Sequence, residues 1–271
     1  MMKIAIIIPA RYASTRFPGK PLTMIGGQTM LSRVVSLAQS AIGQIDGDIT
    51  LAVATEDQRI ADHAAELGVQ GIMTSDNCKT GSDRVLEALN ILENYSGNKI
   101  DFVLGLQGDA PFTPIEAISK MIIAFQANTD IEVITPIINL RWSELDRLRA
   151  QKQITPFSGT TCTINKNGQA LWFSKNIIPA IRQEEKLYTM GEFSPVYQHI
   201  GLYGYAADIL RQFVSLDEGY YEKLEGLEQL RFLENGITIQ TIKLNVPLGL
   251  AQAGIDSPED VKRAEEMLKK L

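Results

Sequence analysis

The chain has 271 residues, 45% of them hydrophobic, and sets 26 Lys and Arg against 32 Asp and Glu, a formal net charge of -6. That length and apolar content suffice for a large core, as one extended α/β domain or two smaller lobes, while the acid excess argues against a nucleic-acid binder, whose affinity comes mainly from clustered Lys and Arg. Two cysteines, in no CxxC or Cys/His spacing, exclude a disulfide framework and point to a reducing, cytoplasmic setting.

In chain order, "KIAIII" from Lys3 is one strand long and is followed by Arg11, too short and wrongly flanked for a signal peptide or a membrane span, so no membrane insertion is expected. "KIAIII", "ITLAVAT" and "DFVLGLQG" are continuous apolar runs of the kind a parallel strand needs when helices cover both faces. Between them, "TMLSRVVSLAQSA", "DQRIADHAAELG" and "GSDRVLEALNILENY" repeat apolar residues every three or four positions, as helices on a sheet do. Thr113 before Pro114 reads as a cap and a first-turn proline for a helix to about Phe125. From about 140 to 196 the rhythm breaks. "TTCTINKNGQALWFSK" reads as two strands turning at "NKNG", and "RQEEKLYTMGEFSP" as a loop, so the stretch is expected to be an inserted antiparallel arm within a single domain spanning 1–271. A strand "HIGLYGY", a helix "YEKLEGLEQLRFLENG", a strand "ITIQTIKL" and a helix opened by Ser257 and Pro258 complete the chain.

In an open parallel sheet, ligands sit beyond the carboxyl ends of the strands. The loop Ala10–Pro21 combines small residues with Arg11, Arg16 and Lys20, which suits a phosphate; the alternative is a solvated turn with ordinary surface cations. It is neither a Walker A loop nor GxGxxG. Asp83 can cap the helix that follows it. His199 and Tyr203, four apart on one expected strand, face the same side. Glu228 lies beside a stripe of Leu224 and Leu227, either facing a ligand or paired with Arg231. His63, in an expected helix, is assigned a structural role.

The blocks "IPARYASTRFPGKPL", "ATEDQRI", "MTSDNCKTGSDR", "LQGDAPFTP", "ALWFSK", "QHIGLYGY", "LEQLRFLENG" and "GIDSPED" follow one another in the order seen in the 3-deoxy-manno-octulosonate cytidylyltransferases, and the resemblance covers nearly the whole chain. It implies a GT-A-like α/β nucleotide-binding fold with a mixed, mostly parallel central sheet flanked by helices. It also implies a nucleotidyltransferase that couples CTP to an acidic keto-sugar, with Mg²⁺, for lipopolysaccharide or surface-glycan synthesis, and a homodimer formed through the arm. By the same resemblance Ala10, Arg11, Ser14, Arg16, Lys20, Ser82 and Arg84 would hold the nucleotide. Gln107, Lys175, His199, Tyr203, Glu228 and Gln229 would line the sugar pocket. Asp109 and Asp256 would bind the metal, with Arg16 and Lys20 counted beside them as catalytic; for Asp256 a helix-terminal role is the alternative. Ala110 and Lys175 depart from the family's usual acid and arginine, which leaves the sugar open between 3-deoxy-manno-octulosonate, an amino-substituted form and a related nonulosonate. A glycosyltransferase of similar fold should show a DxD motif, and the nearest approach is "TED" at 55–57; a non-catalytic nucleotide-binding module is the third reading.

Overall fold

Strand β1 (Lys3–Pro9) shows why an uninterrupted apolar run folds as it does: Ile4, Ile6 and Ile8 enter one core cluster and Ala5 and Ile7 another, on opposite faces of the sheet. Burying such an isoleucine contributes about 1.5–3 kcal/mol, so both faces drive the strand inward. The computed structural model describes residues 2–13, 17–246, 254–255 and 257–269.

On one side β1 pairs in parallel with β4 (Asp48–Thr55), which pairs with β5 (Gln70–Met73); on the other it pairs with β6 (Phe102–Gly105). Helices α1 (Met30–Ile42), α2 (Gln58–Glu66) and α4 (Ile115–Ala127) pack on the Ile4 face, and α3 (Gly81–Ser96) and α7 (Ala207–Ser215) on the other. A two-residue hairpin, β2 (Met24–Ile25) and β3 (Gln28–Thr29), precedes α1, whose N-terminus is capped by the Thr29 hydroxyl. That hydroxyl also bonds His63 Nε2 at 2.8 Å, in keeping with a structural histidine.

The sheet continues through β11 (Tyr203–Ala206), antiparallel to β6, to β7 (Val133–Arg141), which pairs in parallel with β12 (Ile239–Leu244). Beyond β7 lie β10 (Phe193–His199), β8 (Thr161–Ile164) and β9 (Ala170–Ser174), all antiparallel. The β8–β9 turn is built at "NKNG": Asn165 Oδ1 accepts from the amides of Asn167 and Gln169, and Gly168 has φ 77°. Helix α5 (Trp142–Ile154) packs under the arm through Trp142, Leu145 and Leu148. The final helix, α10 (Pro258–Leu268), closes against the β2–β3 hairpin. Among the described residues no helix is long and apolar enough to cross a membrane.

Four expectations are corrected. The stretch "HIGLYGY" is two strands, because Ile200–Leu202 leaves the ladder and the chain changes its outer neighbour from β8 to β6. "YEKLEGLEQLRFLENG" breaks at Gly226, whose φ of 61° ends α8 (Tyr220–Glu225) before α9 (Leu230–Glu234), and Leu224 is 65% exposed rather than part of an apolar stripe. "RQEEKLYTMGEFSP" contains a short helix, α6 (Glu184–Met190), and the start of β10. Pro114 occupies the cap position of α4, while the Thr113 hydroxyl donates to the Ala110 carbonyl.

Candidate active site

The carboxyl ends of β1 and β6 meet where Gly108 N donates to Pro9 O at 3.3 Å, an approach so close that a Cβ at Gly108 would lie 2.8 Å from that oxygen. Two cavities open on this junction and share Gln107 and Asp109.

The first cavity, about 320 Å³, lies between the loop after β1, the "QGDAP" loop and the start of α3. Ala10, Arg11, Lys20, Arg84, Gln107 and Asp109, all singled out from the sequence, line it. Lys20 Nζ is 2.6 Å from Asp109 Oδ2, placing a cation and a carboxylate side by side at the boundary. Arg84, 3% exposed, donates to Thr74 Oγ1 at 2.6 Å and lies 3.0 Å from Glu56 Oε2. Asp83 closes a capping box with Thr80 and so serves α3. Cys78, missed from the sequence, also lines this wall; its thiol donates to Glu87 Oε2 at 3.0 Å, and burial pushes its pKa up to about 12, so it stays protonated near neutrality. No spacing could have announced it.

The second cavity, about 490 Å³, lies between the "QGDAP" loop, the arm and the turn before α9. His199, Tyr203, Glu228 and Gln229 line it with Gln107 and Asp109, so the residues expected around a sugar converge. Ser82 stands behind it, donating to Glu228 Oε2 at 3.2 Å. Lys175 also stands behind: its amide donates to Glu225 Oε2 and its carbonyl accepts from Lys152 Nζ. The Glu228–Arg231 pair is not formed, because Arg231 makes two bonds to Glu222 (2.8 and 2.6 Å). Gln198, Thr160 and Ser158, contributed by the arm, join the lining without a sequence signal, since nothing local says which strands the arm will face.

Among the described residues, the buried side-chain oxygens without a hydrogen-bond partner are Glu56 Oε2, Gln198 Oε1, Tyr203 Oη and Glu228 Oε1, and the last three residues all line this second cavity. Glu56 Oε2 is instead ion-paired with Arg84 at 3.0 Å; each of the three in the cavity costs roughly 1–3 kcal/mol when left unpaired, which a hydroxyl-rich ligand would recover. Burial also raises the Glu228 pKa, so its carboxyl is held in an environment that disfavours the charge.

His199 is enclosed by Phe173 and Tyr203, with ring centroids 5.1 and 5.3 Å away. Burial, and next the charge of Lys175, lower its pKa to about 3. Thr135 Oγ1 donates to Leu202 O, so the pattern assigns the hydrogen to His199 Nε2, which then donates to Thr135, and leaves Nδ1 as an acceptor. A histidine with a depressed folded pKa stabilises the fold above its unfolded value of 6.5, and that contribution is lost as pH falls towards 3. We expect wild-type stability to fall between pH 6.5 and 4 with a slope from this residue of up to about 1.4 kcal/mol per pH unit. His199→Gln should flatten that limb in urea-unfolding midpoints; identical limbs would assign the pH dependence to other groups.

Ser14, Arg16 and Asp256 lie outside the described residues. Their neighbours frame the site: Ile255 N donates to Asp109 O at 3.0 Å, and Gly254 lines the second cavity.

A family model described as cytidylyltransferase matches residues 5–239. The 3-deoxy-manno-octulosonate cytidylyltransferase of Maricaulis maris (strain MCS10) is 42% identical over 267 residues, covering 98% of this chain and 97% of that protein. The enzyme of the same name from Desulfatibacillum aliphaticivorans is 38% identical over 272 residues, with 99% of each covered. Among solved structures, a CMP:2-keto-3-deoxy-manno-octonic acid synthetase complexed with CTP superposes with a TM-score of 0.80 at 28% identity, over 99% of each chain. A 4-diphosphocytidyl-2C-methyl-D-erythritol synthase from Anaerococcus prevotii, 14% identical over 99% of each chain with a TM-score of 0.59, shares the fold.

Proposed function

This chain belongs to the cytidylyltransferase family, and on that premise we propose that it transfers the CMP unit of CTP to 3-deoxy-manno-octulosonate, releasing pyrophosphate, in the supply of lipopolysaccharide or another surface glycan. The observation that carries this reading is the pairing of the two cavities: one bordered by Arg11, Lys20 and Arg84, the other by three orphaned buried oxygens, with Asp109 between them.

In this reaction the sugar's anomeric hydroxyl attacks the α-phosphorus in line with the departing pyrophosphate, so positioning and charge neutralisation carry the catalysis. Arg11 and Lys20 are assigned to the phosphates, with Arg16 and Ser14 of the same loop, and Ala10 and Arg84 to the nucleoside side. Glu228, Gln229, Gln107, Tyr203 and His199 are assigned to the sugar, whose hydroxyls would complete the unpaired Tyr203 and Glu228 oxygens. Ser82 positions Glu228, and Lys175 acts on the sugar pocket through its charge near His199. The donor set fits Mg²⁺, because that ion usually takes one or two carboxylates plus substrate phosphates, and Asp109 borders the cationic cavity. Asp109 and Asp256 would hold it, and when bound it neutralises phosphate charge. Cytoplasmic residence is supported by two free, buried cysteines. A homodimer through the arm is supported by exposed Ile154, Phe157, Tyr188 and Met190.

A pyrophosphate-release assay over nucleotides and keto-sugar acids tests the reading. CTP with 3-deoxy-manno-octulosonate and Mg²⁺ should far outpace ATP or GTP, and a chelator should stop turnover. Equal rates with a purine nucleotide would remove the assignment.

A further inference from the structure

The "TED" block after β4 has no role in the reaction as described, yet its middle residue joins two walls of the nucleotide cavity. Glu56 has a side chain only 11% exposed. Its Oε1 accepts from the backbone amides of Tyr12 (2.8 Å) and Ala13 (3.4 Å), which follow Ala10 and Arg11 in the cationic loop. Its Oε2 lies 3.0 Å from Arg84 Nη1, the buried guanidinium on the opposite side. One carboxylate therefore spans loop and helix.

The neighbouring residues brace the same loop. Tyr12 O accepts from Gly19 N at 3.0 Å, closing the loop on itself, and a Cβ at Gly19 would come within 3.2–3.3 Å of the Tyr12 ring. Arg59, held by two bonds to Asp57, lies 3.5 Å over the Tyr12 ring. The segment Glu56–Arg59 thus fixes where Tyr12 sits, and Tyr12 fixes where the loop begins and ends.

We propose that Glu56 is a positioning residue for the nucleotide: it holds the cationic loop at its root and balances Arg84, so that both walls are set for a triphosphate before it arrives. This rests on reading the first cavity as the CTP site. Two parts of the role separate by substitution. Glu56→Gln keeps an oxygen that accepts from Tyr12 and Ala13 while removing the charge facing Arg84. Glu56→Ala removes both.

The test is steady-state kinetics with CTP and 3-deoxy-manno-octulosonate varied in turn, alongside Tm. Glu56→Ala should raise KM for CTP by about ten-fold, the scale of a modest misplacement of binding groups, while KM for the sugar stays within about two-fold. Glu56→Gln should recover most of that loss. A residue that only supported the fold would lower Tm and move both KM values together, and that result overturns the proposal, as does an unchanged KM for CTP. Should Glu56→Ala not fold, Glu56→Asp carries the same comparison, since one methylene less cannot reach both walls. A wild-type chain with no response to CTP would instead overturn the reading of the cavity itself.

Discussion

Asp109→Asn should lower kcat/KM by roughly 10³-fold while leaving the fold in place, the scale expected for losing a preorganised charge beside the reacting phosphate. Asp109 occupies the boundary between the cationic cavity and the sugar-side cavity, and its carboxylate is 2.6 Å from Lys20 Nζ. The side chain is 36% exposed, so its ion pair contributes at most about 1 kcal/mol to stability, and Tm should move little. The asparagine keeps the size and one acceptor oxygen but removes the charge that pairs with the Lys20 ammonium and that the proposed divalent cation would require. The checks are the Mg²⁺ dependence of pyrophosphate release, which should shift to higher metal concentration, and a thermal melt. Activity within three-fold of wild type at limiting Mg²⁺ would return Asp109 to a purely structural partner of Lys20.

The second large effect has opposite signs in stability and in binding. Tyr203 Oη and Glu228 Oε1 are buried without partners, so the free protein carries their desolvation cost. Tyr203→Phe should therefore raise the stability of the unliganded protein by about 1 kcal/mol, since an unpaired buried hydroxyl is lost with no bond broken. Glu228→Gln should stabilise as well near neutrality. Burial raises the folded pKa of Glu228 above 4.5, so the wild-type contribution is present below that pH and is lost as pH rises through the folded value. Against 3-deoxy-manno-octulosonate the same changes should cost activity. We expect roughly 10²-fold in kcat/KM for the sugar with Glu228→Gln, the scale of a hydrogen bond to a charged group, and KM for CTP near wild type. Unfolding midpoints and sugar-varied kinetics read the two signs separately. If both variants proved more stable and equally active, the orphaned oxygens would not face the substrate.

Much of the site was legible because chemistry-bearing residues followed strand ends. Gln107 and Asp109 come directly after β6, and Ala10, Arg11 and Lys20 after β1, and in a parallel sheet these ends lie side by side. His199 and Tyr203 were expected to share a face of one strand; their rings do sit 5.3 Å apart, but across a break between two strands. The pairing of Glu228 could not be read locally. A spacing of three residues suggested Arg231, whereas the partner is Ser82, 146 positions away, and Arg231 turns to Glu222.

The sequence by itself determined the local matters. A run of apolar residues in β1 demanded burial on both faces, Thr80 and Asp83 capped α3, and Asn165 with Gly168 turned the arm hairpin, because each depends on residues within a few positions. Only the tertiary structure decided that Lys20 would meet Asp109 across 89 positions, that Gln198 and Thr160 from the arm would wall the second cavity, and that Glu56 would bridge the loop to Arg84. Periodicity sets which face a residue occupies; which other face comes to meet it depends on the order of strands in the sheet, and that order follows from long-range packing that no short window of sequence contains.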